Sequence, residues 1–310
     1  MLTVNNISFS YVNRRNILND ISFKLSAGEV LSVVGASGAG KSTLLKCIAG
    51  LLQLEKGEIQ LEGERVKGPK DQLIAGNDEI AYVTQVFSED EYYTTEENIR
   101  KHLLHLTESV RDKFIEELIK LLDLDLVRNQ KAGKLSGGEQ QRLSMACALA
   151  KEPKVILLDE PFAHLDVHLR KKVGRYLKTL CQKNGVSVLL VTHEGEEALS
   201  WSSKILFINK GKIIRKYTPE NAYLNPKTLK EGRYFGELNS VNIDGKQLLF
   251  RPTQYNLDGK GSEIDLKYLF SEFRGAHFAN FFKLLNGKEV ILYANKELKE
   301  LKQIYVQKEN

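Results

Sequence analysis

Gly35-Ala36-Ser37-Gly38-Ala39-Gly40-Lys41-Ser42-Thr43 decides how this chain folds. The stretch fits G-x-x-x-x-G-K-[ST] in full. Its flanks fit as well. Glu29-Val30-Leu31-Ser32-Val33-Val34 is an apolar run of the kind a buried parallel strand needs. Residues 42–50 (STLLKCIAG) read as an apolar helix ended by a glycine. Strand, glycine-rich loop and helix make a phosphate cradle. Backbone N–H groups wrap the phosphates, Lys41 bridges the terminal ones, and the Ser42 hydroxyl ligates magnesium. The fold class that follows is α/β.

Two further stretches turn a nucleotide site into a hydrolytic one. Val155-Ile156-Leu157-Leu158-Asp159-Glu160-Pro161 is an apolar run ending in two carboxylates. Open α/β sheets place ligands at the carboxyl ends of such strands. Asp159 is expected to hold magnesium through water, and Glu160 to polarise the attacking water. Without the phosphate loop the pair would be an ordinary acidic turn. Leu135-Ser136-Gly137-Gly138-Glu139-Gln140-Gln141-Arg142 reads as a helix start. Ser136 caps it, and Glu139 reaches back in a capping box. The free N–H groups and positive dipole end suit an anion, and the glycine pair lets a phosphate approach the backbone. Alone, the octet would be a capped helix and nothing more.

Taken together these motifs resemble the ATP-binding cassette (ABC) ATPases, over about residues 1–230. The octet matches the family's signature motif. The resemblance implies roles for further positions. Tyr11 stacks on adenine. Gly35, Ala36, Ser37, Gly38, Ala39, Gly40, Lys41, Ser42 and Thr43 bind ATP. Gln85 senses magnesium and the γ-phosphate, and Ser42, Gln85 and Asp159 set the Mg2+. Asp166 sits in the loop that touches a partner subunit. Glu160, His193 and Gln85 are the catalytic set. Ser136, Gly137, Gly138 and Glu139 contact ATP held by the opposite subunit. Each position has a plainer reading beside this one. Tyr11 would be a strand-end aromatic, Gln85 a solvated loop residue, His193 a structural histidine and Asp166 a helix N-cap.

The chain has 310 residues, enough for one large domain and a small one. The net charge of +5 is modest, the signs are mixed and no long basic tract occurs, so no nucleic-acid partner is expected. Cys47, Cys147 and Cys181 are scattered over segments read as helices, which fits reduced buried thiols rather than a disulfide frame or zinc site. His102 and His105 lie three apart on an expected helix, and His164 and His168 four apart; a solvated face is the expected reading of both. Residues 1–11 alternate like an edge strand, so no signal peptide is expected there. No apolar run approaches the ~20 residues needed to cross a bilayer.

Strands are expected at 2–9, 19–25, 29–34, 57–61 and 79–84. Helical spacing over 96–130 marks a helical subdomain, about 86–150 in all. Strand 155–159, helix 167–183, strand 186–192 and a short helix near 195–200 restore a βαβ pattern. Strands 204–209 and 212–217 flank the turn Asn209-Lys210-Gly211. This gives a P-loop cassette over 1–230, with a mixed sheet. A polar linker is expected at 225–233 and a small β-rich domain over 234–310, with strands at 234–243, 247–251, 264–270 and 288–293 closing a small β-barrel. With Phe235-Gly236-Glu237, Phe250-Arg251-Pro252 and Leu169-Arg170, this tail resembles the oligonucleotide-binding-like (TOBE-type) domain of importers for iron, sulfate, molybdate, polyamines, thiamine or sugars.

One phosphate loop and one signature per chain imply a head-to-tail homodimer. The resemblance further implies permease subunits docked near Gln85 and residues 86–95, a solute-binding protein, and a peripheral position on the cytoplasmic face of the membrane. An exporter subunit is the alternative. A soluble ABC ATPase acting on nucleic acid or ribosomes would carry long heptads between the loop and the signature, or a second cassette. About ninety residues without sustained heptads separate Thr43 from Leu135 here.

Overall fold

Strands Val155–Asp159 and Ser187–Val191 are buried at every position. Their residues alternate between two cores, as the two-residue period of a strand dictates. Ile156, Leu158, Val188 and Leu190 join one core, while Val155, Leu157, Leu189 and Val191 join the other. A sheet covered on both faces follows. The computed structural model describes residues 1–12, 14–84, 87–163, 165–243 and 245–307, with the backbone alone at 14–16. These divide into two compact units: Met1–His193 with Ser200–Tyr217, and Glu194–Leu199 with Thr218–Asn310.

The first unit holds a six-stranded sheet. Its order is Lys212–Tyr217, Lys204–Asn209, Val30–Val34, Ser187–Val191, Val155–Asp159 and Ile80–Val83. All neighbours are parallel except the hairpin formed by the first two. One face packs on helix Lys41–Ile48 and on a second sheet, ordered Arg14–Leu25, Leu2–Tyr11, Lys56–Leu61 and Glu64–Arg65. Leu2–Tyr11 therefore pairs on both sides and is not the edge strand its alternation predicts. Alternation reports one buried face; it does not report how many neighbours a strand has.

The other face packs on helices. Glu108–Leu121, inside the stretch of helical spacing expected over 96–130, buries Ile115, Leu118 and Ile119. Thr95–Arg100 and Gly137–Ala150 each begin with a complete capping box, on Thr94 with Glu97 and on Ser136 with Glu139. Val167–Asn184 begins at Asp166, whose carboxylate accepts from the N–H groups of His168 and Leu169 at 2.8 and 3.0 Å. It ends at Gly185 in the left-handed conformation. All three cysteines are unpaired and buried, as expected, and burial pushes the Cys47 thiol up to about 12 and the Cys181 thiol to about 11. No helix among the described residues is long and apolar enough to cross a membrane.

Helix Pro219–Leu224 ends just before the stretch expected to be linker, and helix Leu229–Tyr234 occupies much of it. Thr218 and Thr228 cap them, a local signal that apolar periodicity over so few residues does not carry. Among the described residues the β-rich tail does not pair into one closed barrel. Its strands form three hydrogen-bonded sheets: Asn239–Ile243 with Lys246–Phe250, Ser262–Asp265 with Gln303–Val306, and Lys267–Phe273 with Phe278–Lys283 and Glu289–Ala294. Strands 278–283 and 303–306 are absent from the sequence reading, and 234–238 precedes the first strand. A single apolar core, including Val241, Phe250, Ile264, Phe282 and Ile304, unites the three. Between sheets, side chains replace the ladder: the Asn239 amide donates to the Ile291 carbonyl and accepts from its N–H.

Candidate active site

The phosphate loop is held open by its own packing. A Cβ on Gly35 would sit 2.2 Å from the Ile208 carbonyl oxygen, and one on Gly40, at φ +100°, 2.8 Å from that of Ile17. The hairpin turn at 209–211 supports the loop from below, where the Gly211 N–H donates to the Ala39 carbonyl at 3.1 Å. Lys41 is buried, and its ammonium donates to the Gly35 and Ala36 carbonyls at 2.9 and 3.2 Å. Burial lowers its pKa from the ordinary lysine value, while Glu160 and Asp159 pull it back up. A fixed cation thus faces two carboxylates across the loop.

Those carboxylates sit at the carboxyl end of strand Val155–Asp159. Asp159 is buried, which raises its pKa; hydrogen bonds from the Ser42 hydroxyl and the Tyr82 phenol oppose that rise. The phenol donates to Oδ2 at 3.2 Å, and Oδ1 is enclosed without a hydrogen-bond partner among the described residues. Glu160 takes the left-handed backbone conformation, φ +52°, unusual for a residue with a side chain. Its N–H donates to the Val191 carbonyl at 2.9 Å, and its own carbonyl accepts from the Gln141 amide at 3.0 Å. The turn aims its carboxylate at His193, whose Nδ1 lies 3.2 Å from Oε2.

A cleft of about 260 Å³ collects Tyr11, Ile17, Ser37, Lys41, Thr43 and Glu160. Tyr11 packs edge-on against Phe9, ring centres 4.8 Å apart, and keeps 41% of its surface exposed. Loop, acidic pair, Tyr11 and His193 therefore gather at one end of the sheet. Ser136, Gly137, Gly138 and Glu139 do not line this cleft. Gln85 and His164 lie outside the described residues. His102 and His105 follow the end of helix Thr95–Arg100 instead of sharing it, and approach different acids: His102 faces Glu89, and His105 Nε2 lies 3.2 Å from Glu152. A larger cleft of about 710 Å³ opens near the opposite strand ends, around Val155 and Ser187, and contains none of the predicted site residues.

Sequence reasoning missed Tyr82 and Gln141. Tyr82 stands in the apolar strand Ile80–Val83, where a lone phenol was the available signal. Gln141 is buried in the signature helix, and a polar residue on an inward helix face needs a partner.

The chain matches the ABC transporter family over residues 18–163. It is 36% identical over 286 residues to the Fe(3+) ions import ATP-binding protein FbpC 2 of Haemophilus influenzae, covering 83% of this chain and 79% of that one. The corresponding FbpC of another Haemophilus influenzae strain matches at the same identity, with 80% of its length covered. Among solved structures, a dimeric ATP-binding cassette in a post-hydrolysis state with ADP and phosphate superposes with a TM-score of 0.63 at 28% identity, over 71% of this chain and 99% of that one. An ATP-binding subunit of an ABC transporter gives 0.65 at 27% identity, over 72% and 91%. A cradle with its buried lysine, an acidic pair at a strand end and these relatives agree: the chain belongs to the ATP-binding cassette family, as an ATP-hydrolysing subunit of the importer branch.

Proposed function

We propose that this chain powers uptake of ferric iron, working as a head-to-tail homodimer beneath permease subunits. The solute is that named for the Haemophilus influenzae relatives. A solute-binding protein delivers it, and the ATPase sits peripherally on the cytoplasmic face. The cassette spans about residues 1–230, and the β-rich tail is a TOBE-type domain.

The observation that carries the dimer is the signature helix start. A Cβ on Gly137 would meet nothing within 4 Å. The chain's own packing does not require glycine there, so the room serves something arriving from outside. A nucleotide held in the cleft of a second copy fits that role.

Within each composite site Tyr11 stacks on adenine, and N–H groups from Gly35 through Thr43 wrap the phosphates. Lys41 exchanges its loop carbonyls for phosphate oxygens. Ser136, Gly137, Gly138 and Glu139 of the second copy close over the γ-phosphate, and Asp166 marks the loop between subunits. Glu160 accepts the proton of the attacking water, oriented by His193. Gln85 completes the catalytic set. The orphaned Asp159 Oδ1, beside the Ser42 hydroxyl, fits a hydrated Mg2+. When bound, that ion neutralises charge on the β- and γ-phosphates.

The test is iron uptake and dimerisation together. In cells, Glu160→Gln should abolish ferric iron uptake. In solution, the same variant with ATP should accumulate as a dimer, read by light scattering. A variant that binds ATP yet stays monomeric contradicts the sandwich. Uptake of another solute with no effect on iron contradicts the cargo alone.

A further inference from the structure

We propose that Glu89, His102 and Cys147 bind one divalent late transition-metal ion, of the class of Zn2+, Co2+ or Fe2+, at a site separate from the nucleotide cleft. One ligand atom from each lies within 4.8 Å of the others. They come from three places in the chain: the loop after strand Ile80–Val83, the turn after helix Thr95–Arg100, and the last turn of helix Gly137–Ala150.

Three features separate this cluster from ordinary buried polarity. His102 Nε2 is enclosed and has no hydrogen-bond partner among the described residues. The nearest acid oxygen, Glu89 Oε2, stands 4.0 Å away, too far for a hydrogen bond. Two ligands on a tetrahedral ion, with bonds of about 2.0–2.3 Å, lie roughly 3.3–3.6 Å apart, so side-chain shifts of about an ångström close the site. The Cys147 thiol is fully buried, donates to the Asn98 carbonyl at 3.4 Å and also interacts with the Glu89 carboxylate.

The donor set chooses the class of ion. Thiolate and imidazole disfavour Mg2+ and Ca2+ and suit Zn2+, Co2+ or Fe2+, while the carboxylate balances the charge. Three protein ligands leave a fourth position for water. Binding displaces the thiol proton to solvent. Lys101, now 3.4 Å from Glu89 Oε2, must yield; it retains the Asn98 side-chain oxygen, 2.9 Å away. A filled site would tie the loop carrying Glu89 to the last turn of the signature helix, and the inference does not rest on the importer reading.

Co2+ alone is the probe, titrated into full-length metal-free protein under excess Mg2+, which keeps it off Asp159. The expected result is one Co2+ per chain with a sulfur-to-cobalt charge-transfer band in the near ultraviolet. Cys147→Ser should remove the band. His102→Ala, at a turn outside the helices, should keep the fold and weaken Co2+ binding at least about tenfold. No band in the natural protein overturns the proposal. So does a band that survives in Cys147→Ser, which would place the ion on Cys47 or Cys181. Unchanged affinity in His102→Ala overturns it as well.

Discussion

The two glycine-bearing motifs differ in what demands their glycines. In the phosphate loop the chain itself demands them, because a side chain at Gly35 or Gly40 would strike the carbonyls of Ile208 or Ile17. At the signature, Gly137 faces open space and does not take a positive φ. The first contact is finished by intrachain packing. The second is a capped helix end presented outward. A glycine that no intrachain neighbour explains is the stronger pointer to an intermolecular role.

Substitutions can break or sharpen this contrast. The largest expected effect is on chemistry at the finished half. Glu160→Gln should cut ATP turnover on the order of 10²–10⁴-fold while leaving ATP affinity intact; undiminished turnover removes Glu160 from the base role. Gly137→Leu comes next and bears directly on the comparison. It should abolish most turnover with the melting temperature and single-chain ATP affinity unchanged, since no neighbour is struck. A matching loss of stability would mean that the glycine serves its own chain after all.

Lys41→Ala removes charge-assisted hydrogen bonds worth about 1.5–3 kcal/mol each. ATP affinity should fall on the order of ten- to hundredfold, read by calorimetry; a normal dissociation constant would argue against the loop assignment. Ser136→Ala removes a cap worth ~1 kcal/mol, a fall of about 2–4 °C in melting temperature. Its acid dependence has a definite sign. Ser136 holds the Glu139 carboxyl below the ordinary glutamate value through its hydroxyl and N–H. A depressed pKa contributes stability that is present above the unfolded value and fades as pH falls through the folded one. The Ser136→Ala penalty should therefore shrink below about pH 4.

The smallest effect runs the other way. Burial raises the Asp159 carboxyl, so ionising it costs stability above its folded pKa, and that cost disappears in acid. Asp159→Asn should raise the nucleotide-free melting temperature slightly at neutral pH. A lowered one would show that the carboxylate is stabilised by its hydrogen bonds from Ser42 and Tyr82 more than it is penalised by burial.

Much of the cassette was legible because its signals are local. The strands expected at 204–209, 212–217 and 155–159 are found at those bounds. The capping box at Ser136 forms as its spacing predicts. The tail was less legible. Arg251, in Phe250-Arg251-Pro252, has the composition of a surface residue but is completely buried. Its guanidinium donates to the carbonyls of Tyr223, Gly236 and Glu237 and lies 4.2 Å from the Tyr223 ring centre. Those acceptors lie 28, 15 and 14 positions before Arg251, and no short window of sequence contains them all.

By itself the amino-acid order determined the phosphate loop, the acidic pair, the capped signature helix and the α/β pattern, because each depends on backbone preferences and side chains within a few positions of one another. Tertiary structure alone decided that Leu2–Tyr11 lies inside its sheet, that Tyr82 and Gln141 hold the acidic pair, and that Glu89, His102 and Cys147 meet. These depend on which surfaces pack together, and packing joins residues whose separation along the chain carries no periodic signal.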